Sequence, residues 1–307
     1  MIIKNFLFHR VNPVRDSLWD PMDVALFEKC IEYLSKNYEI IDLEKSIINN
    51  SFPSSKKKLA SILFDDGYKD NIEYAVPVLK KYKCQASFYV VTDSIDNNST
   101  TWTYSLDYLF QNTNYTKLDL SLFGIDSSIC KKVYSSNKER IDSARTLKPY
   151  LKKLTHEKRE EILNYISNSF NDVTLPKIMM NWNEIRQLRN EGFNIGSHTK
   201  THCMLGTIHD ENIVSYELLY SAQKIEKETG KFPDCISYPV GSYNNTTMEL
   251  SKKAGYKMGL AVHQKFYDTS KDNVYAIPRT ELYNESWLKT QSRMNGLLES
   301  FKKVLGR

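Results

Sequence analysis

No stretch of this 307-residue chain approaches the roughly 18 consecutive apolar residues that cross a bilayer, so a membrane span is not expected. The opening residues Met1 to Phe8 are apolar for only a few positions before His9 and Arg10. They lack the longer apolar core and small-residue cleavage site of a secretory leader, so a cytoplasmic protein is the expectation. The five cysteines, Cys30, Cys84, Cys130, Cys203 and Cys235, are odd in number and show no C-x-x-C spacing, which favours reduced structural thiols over a disulfide framework. Cationic runs are equally sparse. Nothing is denser than Lys56-Lys57-Lys58, and a net charge of +5 is too mild to imply a nucleic-acid partner, although it helps to attract an acidic sugar or a membrane surface. There is no internal repeat.

What is present is an alternation of short apolar strands with amphipathic helices, which predicts an α/β protein with a mostly parallel sheet. Hydrophobic residues make up 41% of the chain, enough for a sizeable core. Ile2–Phe8, Leu59–Phe64, Ala86–Val91, Phe193–Ser197, Cys235–Val240 and Tyr256–Val262 read as strands. Asp20, followed by Pro21, reads as the N-cap of the first helix, with Val24, Phe27, Ile31 and Leu34 at helical spacing. Tyr74–Tyr82, Asn183–Glu191, Asp210–Thr229 and Thr246–Ala254 read as further helices, the first of them interrupted by Pro77. From about Asp93 to Met180 the rhythm stops, and charged helical stretches such as Thr155–Phe170 indicate a mainly helical insertion within one domain spanning residues 1–307.

Three strand ends carry groups suited to chemistry. Asp65 and Asp66 follow the apolar run Ser61-Ile62-Leu63-Phe64, where a parallel strand leaves the sheet. Neighbouring carboxylates there point in different directions, so one can hold a cation while the other stays free as a base. His198 and His202 follow Gly196-Ser197 at another strand end, and imidazoles four residues apart can converge on one ion. Together with a carboxylate they make an open ligand set that suits zinc. Thr199 stands where the H-E-x-x-H pattern requires glutamate, which excludes that class of metalloprotease. His9 ends the first strand. His263 ends another, while His156 and His209 lie in polar settings and read as surface residues.

The segments Leu63-Phe64-Asp65-Asp66-Gly67 and His198-Thr199-Lys200-Thr201-His202 resemble the two hallmark motifs of the polysaccharide deacetylases of the NodB-homology type. Tyr238-Pro239-Val240-Gly241-Ser242-Tyr243-Asn244 is similar to that family's third motif, and Phe8-His9-Arg10-Val11 to the start of members with circularly permuted motifs. The resemblance implies a distorted (β/α) barrel of about seven strands. It also implies Asp65 as general base, Asp66, His198 and His202 as ligands of Zn²⁺ or another divalent transition metal, and the Val240 N–H as oxyanion donor. The general acid would be His9, with His263 as its competitor. Ser237 stands where the third motif often has arginine and Val240 where it often has an aromatic, and Arg279, in Ile277-Pro278-Arg279, is the candidate to orient the base instead.

Among the aromatic residues, Trp102 in the insertion and Tyr243 by the third motif are the candidates for a sugar-stacking platform, whereas Trp182 reads as a helix-packing residue. The implied reaction is hydrolysis of an N-acetyl group from an amino sugar of a saccharide or polysaccharide intermediate. Hydrolysis of another C–N bond, such as a formamide, and saccharide binding without turnover are the alternatives. The partner implied is an N-acetylated saccharide.

Overall fold

The computed structural model describes residues 1–297. The chain opens with β1 (Ile2–Phe8), α1 (Val24–Asn37), β2 (Tyr38–Ile40), α2 (Leu43–Ile48) and β3 (Lys58–Phe64). A π-helical turn at Asn71–Ala75 leads into α3 (Val76–Lys81) and β4 (Ser87–Val90). The helices α4 (Thr92–Asn97), α5 (Trp102–Asn112), α6 (Asn137–Leu151), α7 (His156–Ser169) and α8 (Trp182–Asn190) precede β5 (Asn194–Ser197). The remainder is α9 (Glu211–Thr229), β6 (Cys235–Ser237), α10 (Asn245–Lys253), β7 (Met258–Leu260), β8 (Tyr267–Asp268), β9 (Thr280–Glu281) and α11 (Trp287–Asn295).

Seven strands form the main path, in the order β7-β6-β5-β4-β3-β1-β8, with β2 beside β3 and β9 beside β1. All pairings along it are parallel except that of β8 with β1. Buried runs with almost no alternation, such as Lys58–Phe64, are what a sheet covered on both faces requires. The sheet curls into a distorted (β/α) barrel. Residues 277–281 span the remaining gap, because Ile277 bridges Leu260 at the end of β7 while Thr280 pairs with Phe6 of β1. Pro278 cannot donate to a ladder, but its carbonyl accepts from the buried Asn5 side chain at 3.0 Å.

Parallel pairing brings the ends of β1, β3, β4, β5, β6 and β7 to one edge, which is where every sequence motif falls. Phe8 is level with Phe64, and Val90 with Ser197, so His9, Asp65 and His198 leave the sheet at neighbouring heights.

The helical insertion between β4 and β5 packs around its own cluster, in which Phe110 of α5, Leu147 and Leu151 of α6, and Ile162 and Ile166 of α7 are fully or almost fully buried. Thr155 caps α7 as expected, accepting from the Lys158 N–H.

The structure corrects several local expectations. The first helix is capped by Asp23, whose side chain accepts from the N–H groups of Ala25 and Leu26, and Asp20 instead accepts from the Asp16 N–H and the Asn284 amide. β6 stops at Ser237 because Pro239 and a Val240 of positive φ turn the chain. β7 is confined to Met258–Leu260. The short β2 and α2 went unread because three to six residues carry no usable period. All five cysteines are free and buried. Among the described residues no helix is long and apolar enough to cross a membrane.

Candidate active site

Asp66 has φ 74° and Gly67 φ 88°, a reversal that separates the two adjacent carboxylates. A side chain at Gly67 would be strained at that φ and would put its Cβ 3.2 Å from Val90 and Ile95. Among the described residues, four of the seven non-glycine residues with positive φ, namely Asp66, Thr199, His202 and Val240, belong to the motifs at this edge. Such backbone is retained where the surroundings over-determine it, and it concentrates at functional sites.

The carboxylate of Asp65 is held from two sides. Arg279, with no exposed surface, donates Nη1 to Oδ1 at 2.8 Å and Nη2 to Oδ2 at 2.9 Å. Its Nη2 also donates to Ser237 Oγ, which donates onward to Asp65 Oδ2 at 3.0 Å, and its Nε donates to the Ala261 carbonyl. Burial by itself would push the Asp65 carboxyl up, but the Arg279 guanidinium, with His198, outweighs it and holds the group below its ordinary value. The structure thus brings Arg279 to Asp65 from the closing segment of the barrel, and Ser237 supports the pair.

Asp66 faces the histidines. Its Oδ1 lies 3.3 Å from Nε2 of both His198 and His202, and the three groups are buried. His198 Nδ1 is 2.8 Å from the Ser237 carbonyl; a carbonyl can only accept, so Nδ1 carries a proton and Nε2 is the ring nitrogen turned toward Asp66. The loop between the histidines is pinned by buried Glu217 of α9, which accepts from the N–H groups of Lys200 and Thr201 and from the Thr201 hydroxyl at 2.8–3.0 Å. Thr199 Oγ1 accepts from the His202 N–H.

This arrangement fits a divalent cation. One ligand atom from each of Asp66, His198 and His202 lies within 4.8 Å of the others. Asp66 Oδ1 is buried without a hydrogen-bond partner among the described residues, which would be costly for a carboxylate oxygen with nothing to bind. Burial would raise Asp66, yet the two imidazoles hold it well below its ordinary value; burial lowers His202 despite Asp66 beside it.

These groups floor a cleft of about 230 Å³ walled by His9, Trp19, Val240, Val262 and Glu281, with Thr103, Lys148 and Lys152 contributed by the insertion. His9 packs edge-on against Trp19 at 5.1 Å, its Nδ1 lies 3.4 Å from Glu281 Oε1, and its carbonyl accepts from the Asn71 side chain at 2.7 Å. Asn71 opens the π-helical turn, a feature often found at functional sites. His263 is exposed, 2.9 Å from the Tyr243 hydroxyl, and Tyr243 stacks on Tyr238 outside the lining of the cleft. Trp102 packs into the cluster of the insertion under the Arg159 guanidinium, so it too does not line the cleft.

Trp19, Glu217, Lys148 and Lys152 were not expected at the site from the sequence, and Ser237 was noted only as standing at the arginine position of the third motif. Only two of them carried a signal: Trp19 follows His9 in the same strand-end loop, and Glu217 falls at a buried helical position between Val214 and Ser221.

At the carboxyl edge of the curled parallel sheet, an Asp–His–His cluster that could hold a metal ion thus lies beside a guanidinium-held aspartate. Residues 53–259 match the polysaccharide deacetylase family, and the chain belongs to it. It is 22% identical over 236 residues to YxkH of Bacillus subtilis (strain 168), by name a candidate polysaccharide deacetylase, covering 76% of this chain but only 56% of that relative. Its fold is similar to that of the deacetylase PplD of Streptococcus pyogenes, solved in complex with acetate, with a TM-score of 0.63 at 16% identity over 96% of this chain and 98% of that one. A de-N-acetylase from Aggregatibacter actinomycetemcomitans is similar over 96% of this chain and all of its own (100%), with a TM-score of 0.61 at 14% identity.

Proposed function

We propose that this protein hydrolyses the N-acetyl group of an acetylated amino sugar, using a divalent transition metal of the zinc type held by Asp66, His198 and His202. The observation that carries the reading is the convergence of those three buried ligands beside an Asp65 whose carboxylate is fixed by Arg279 and Ser237. A cation in that position supplies Lewis-acid polarisation of the acetamide carbonyl and acidifies water.

The protein supplies the rest. Arg279 keeps Asp65 ionised and oriented, so Asp65 is the acceptor for the proton of the attacking water. Val240, turned to positive φ at the cleft wall, offers its N–H to the oxyanion that develops on the carbonyl. His9 is the proton donor to the departing amine, since an amide anion is too poor a leaving group to depart unprotonated. Trp19, rather than Trp102 or Tyr243, is the aromatic placed to pack on the sugar, because it lines the cleft.

The test is acetate release from N-acetylated saccharides by the metal-loaded protein, and no acetate from any of them overturns the reading. The purified protein is expected to bind about one divalent ion per chain, in keeping with an open three-ligand site. His198→Ala and His202→Ala are each expected to abolish that binding, and undiminished metal content in both would remove the assignment. Glu217→Ala keeps every ligand but releases the loop that positions two of them. Its expected effect is a loss of roughly 10–100-fold in metal affinity, measured by competition with a chelator. An affinity equal to that of the unaltered protein would mean that the loop holds its shape without Glu217.

A further inference from the structure

Lys148 and Lys152 lie one helical turn apart at the end of α6, and both line the cleft above Asp65, Asp66, His198 and His202. Their electrostatic situations differ. Lys148 is ion-paired with buried Asp107 of α5. The Lys152 ammonium has no hydrogen bond or ion pair among the described residues. The acidic groups that attract it from farther away are Glu281 and Asp107, and both are engaged: Glu281 beside His9 and accepting from the Tyr283 hydroxyl at 2.7 Å, Asp107 with Lys148.

Lys152 is half-buried, and burial, reinforced by repulsion from Lys148, draws its pKa below the ordinary lysine value. A desolvated cation without a counter-charge costs the fold stability, and a methionine or leucine would cover the end of α6 at no such cost. Its position on the wall of the cleft is complementary to an anion that the ligand brings.

We propose that Lys152 reads a negative charge on the saccharide, so that the substrate is an N-acetylated amino sugar carrying a carboxylate or a phosphate ester on that ring or on its immediate neighbour. This inference rests on the reading of the site as a saccharide deacetylase and names the class of substrate. An ammonium is a point charge with freely rotating donors, which accepts either anion, whereas a guanidinium fork would favour bidentate geometry. The insertion that carries Lys152 is therefore the specificity element, and the strand ends carry the chemistry.

The experiment compares acetate release from matched oligosaccharides of N-acetylglucosamine: a neutral one, one with a neighbouring uronic acid, its carboxyl-reduced derivative, and a 6-phosphate counterpart. The expected kcat/KM is higher by about 10-fold or more on a charged member than on its neutral match, the range for a hydrogen bond to a charged group. Lys152→Met, which keeps the packing of the apolar stem, should collapse that ratio to near unity, and Lys152→Arg should restore most of it. Preference for the uronate or for the phosphate identifies the anion. Equal kcat/KM on charged and neutral members overturns the proposal and leaves the deacetylase reading standing. If no member releases acetate, equilibrium binding of the same oligosaccharides separates the two ideas. Tighter binding of a charged member that Lys152→Met abolishes sustains the role of Lys152 without deacetylation, and equal or absent binding overturns it.

Discussion

Asp65→Asn is expected to retain the divalent ion and lose turnover by roughly 10²–10⁴-fold, the range for removing acid–base help. The amide keeps the shape of the carboxylate but cannot take a proton. The ligand set of Asp66, His198 and His202 is left whole, and Arg279 keeps Ser237 Oγ and the Ala261 carbonyl as acceptors. Asp66→Asn should do the reverse and weaken metal binding first, because Asp66 Oδ1 is the atom shared between the two imidazoles. Metal titration of the two variants beside their kcat on one substrate separates these roles. Equal loss of metal in both would show that the adjacent carboxylates do not divide the work.

Arg279→Met is expected to destabilise the fold by about 3–5 kcal/mol, the usual cost of removing one partner from a buried ion pair. The guanidinium has no exposed surface and meets both oxygens of a carboxylate that is itself 2% exposed, so no water can take over its hydrogen bonds without opening the barrel. The pH dependence has a definite sign. Asp65 in the folded protein lies below its ordinary value of 3.8, so the pair contributes fully above that value and its contribution is lost as pH falls through the lower, folded value. In Arg279→Met, burial acts on Asp65 without its largest compensating charge, and the difference in stability between the two proteins should be greatest near neutrality and shrink on acidification. Denaturant unfolding across that pH range measures it; a constant difference would place the effect of Arg279 in packing instead of charge.

Much of this protein is settled by local order in the chain. The runs ending at Phe8, Phe64 and Ser197 are long enough to register as strands, and each is followed at once by a candidate site residue, so the association of His9, Asp65, Asp66, His198 and His202 with strand ends follows from sequence position alone. Parallel pairing then brings those ends to one edge. Cap positions were legible only where the side chain had no better partner. Thr155 caps α7, but Asp20 lost the first helix to Asp23 because its carboxylate is drawn to Asn284, 264 residues away.

The sequence offered Arg279 as a candidate, but tertiary structure decided which distant residues meet at the site. Arg279 reaches Asp65 across 214 positions because the segment carrying it closes the barrel, and Glu217 governs the histidine loop because α9 packs beneath it. Lys152 faces the cleft while Trp102 turns into the cluster of the insertion, a choice made by how α5, α6 and α7 bury their apolar stripes, and Trp19 reaches the cleft from the loop between β1 and α1. The physical reason is one of range. Helical and strand periods act over a few neighbours and are written in the sequence directly, whereas charge pairing and cleft geometry depend on the balance of burial and counter-charge between segments that meet only once the sheet has closed.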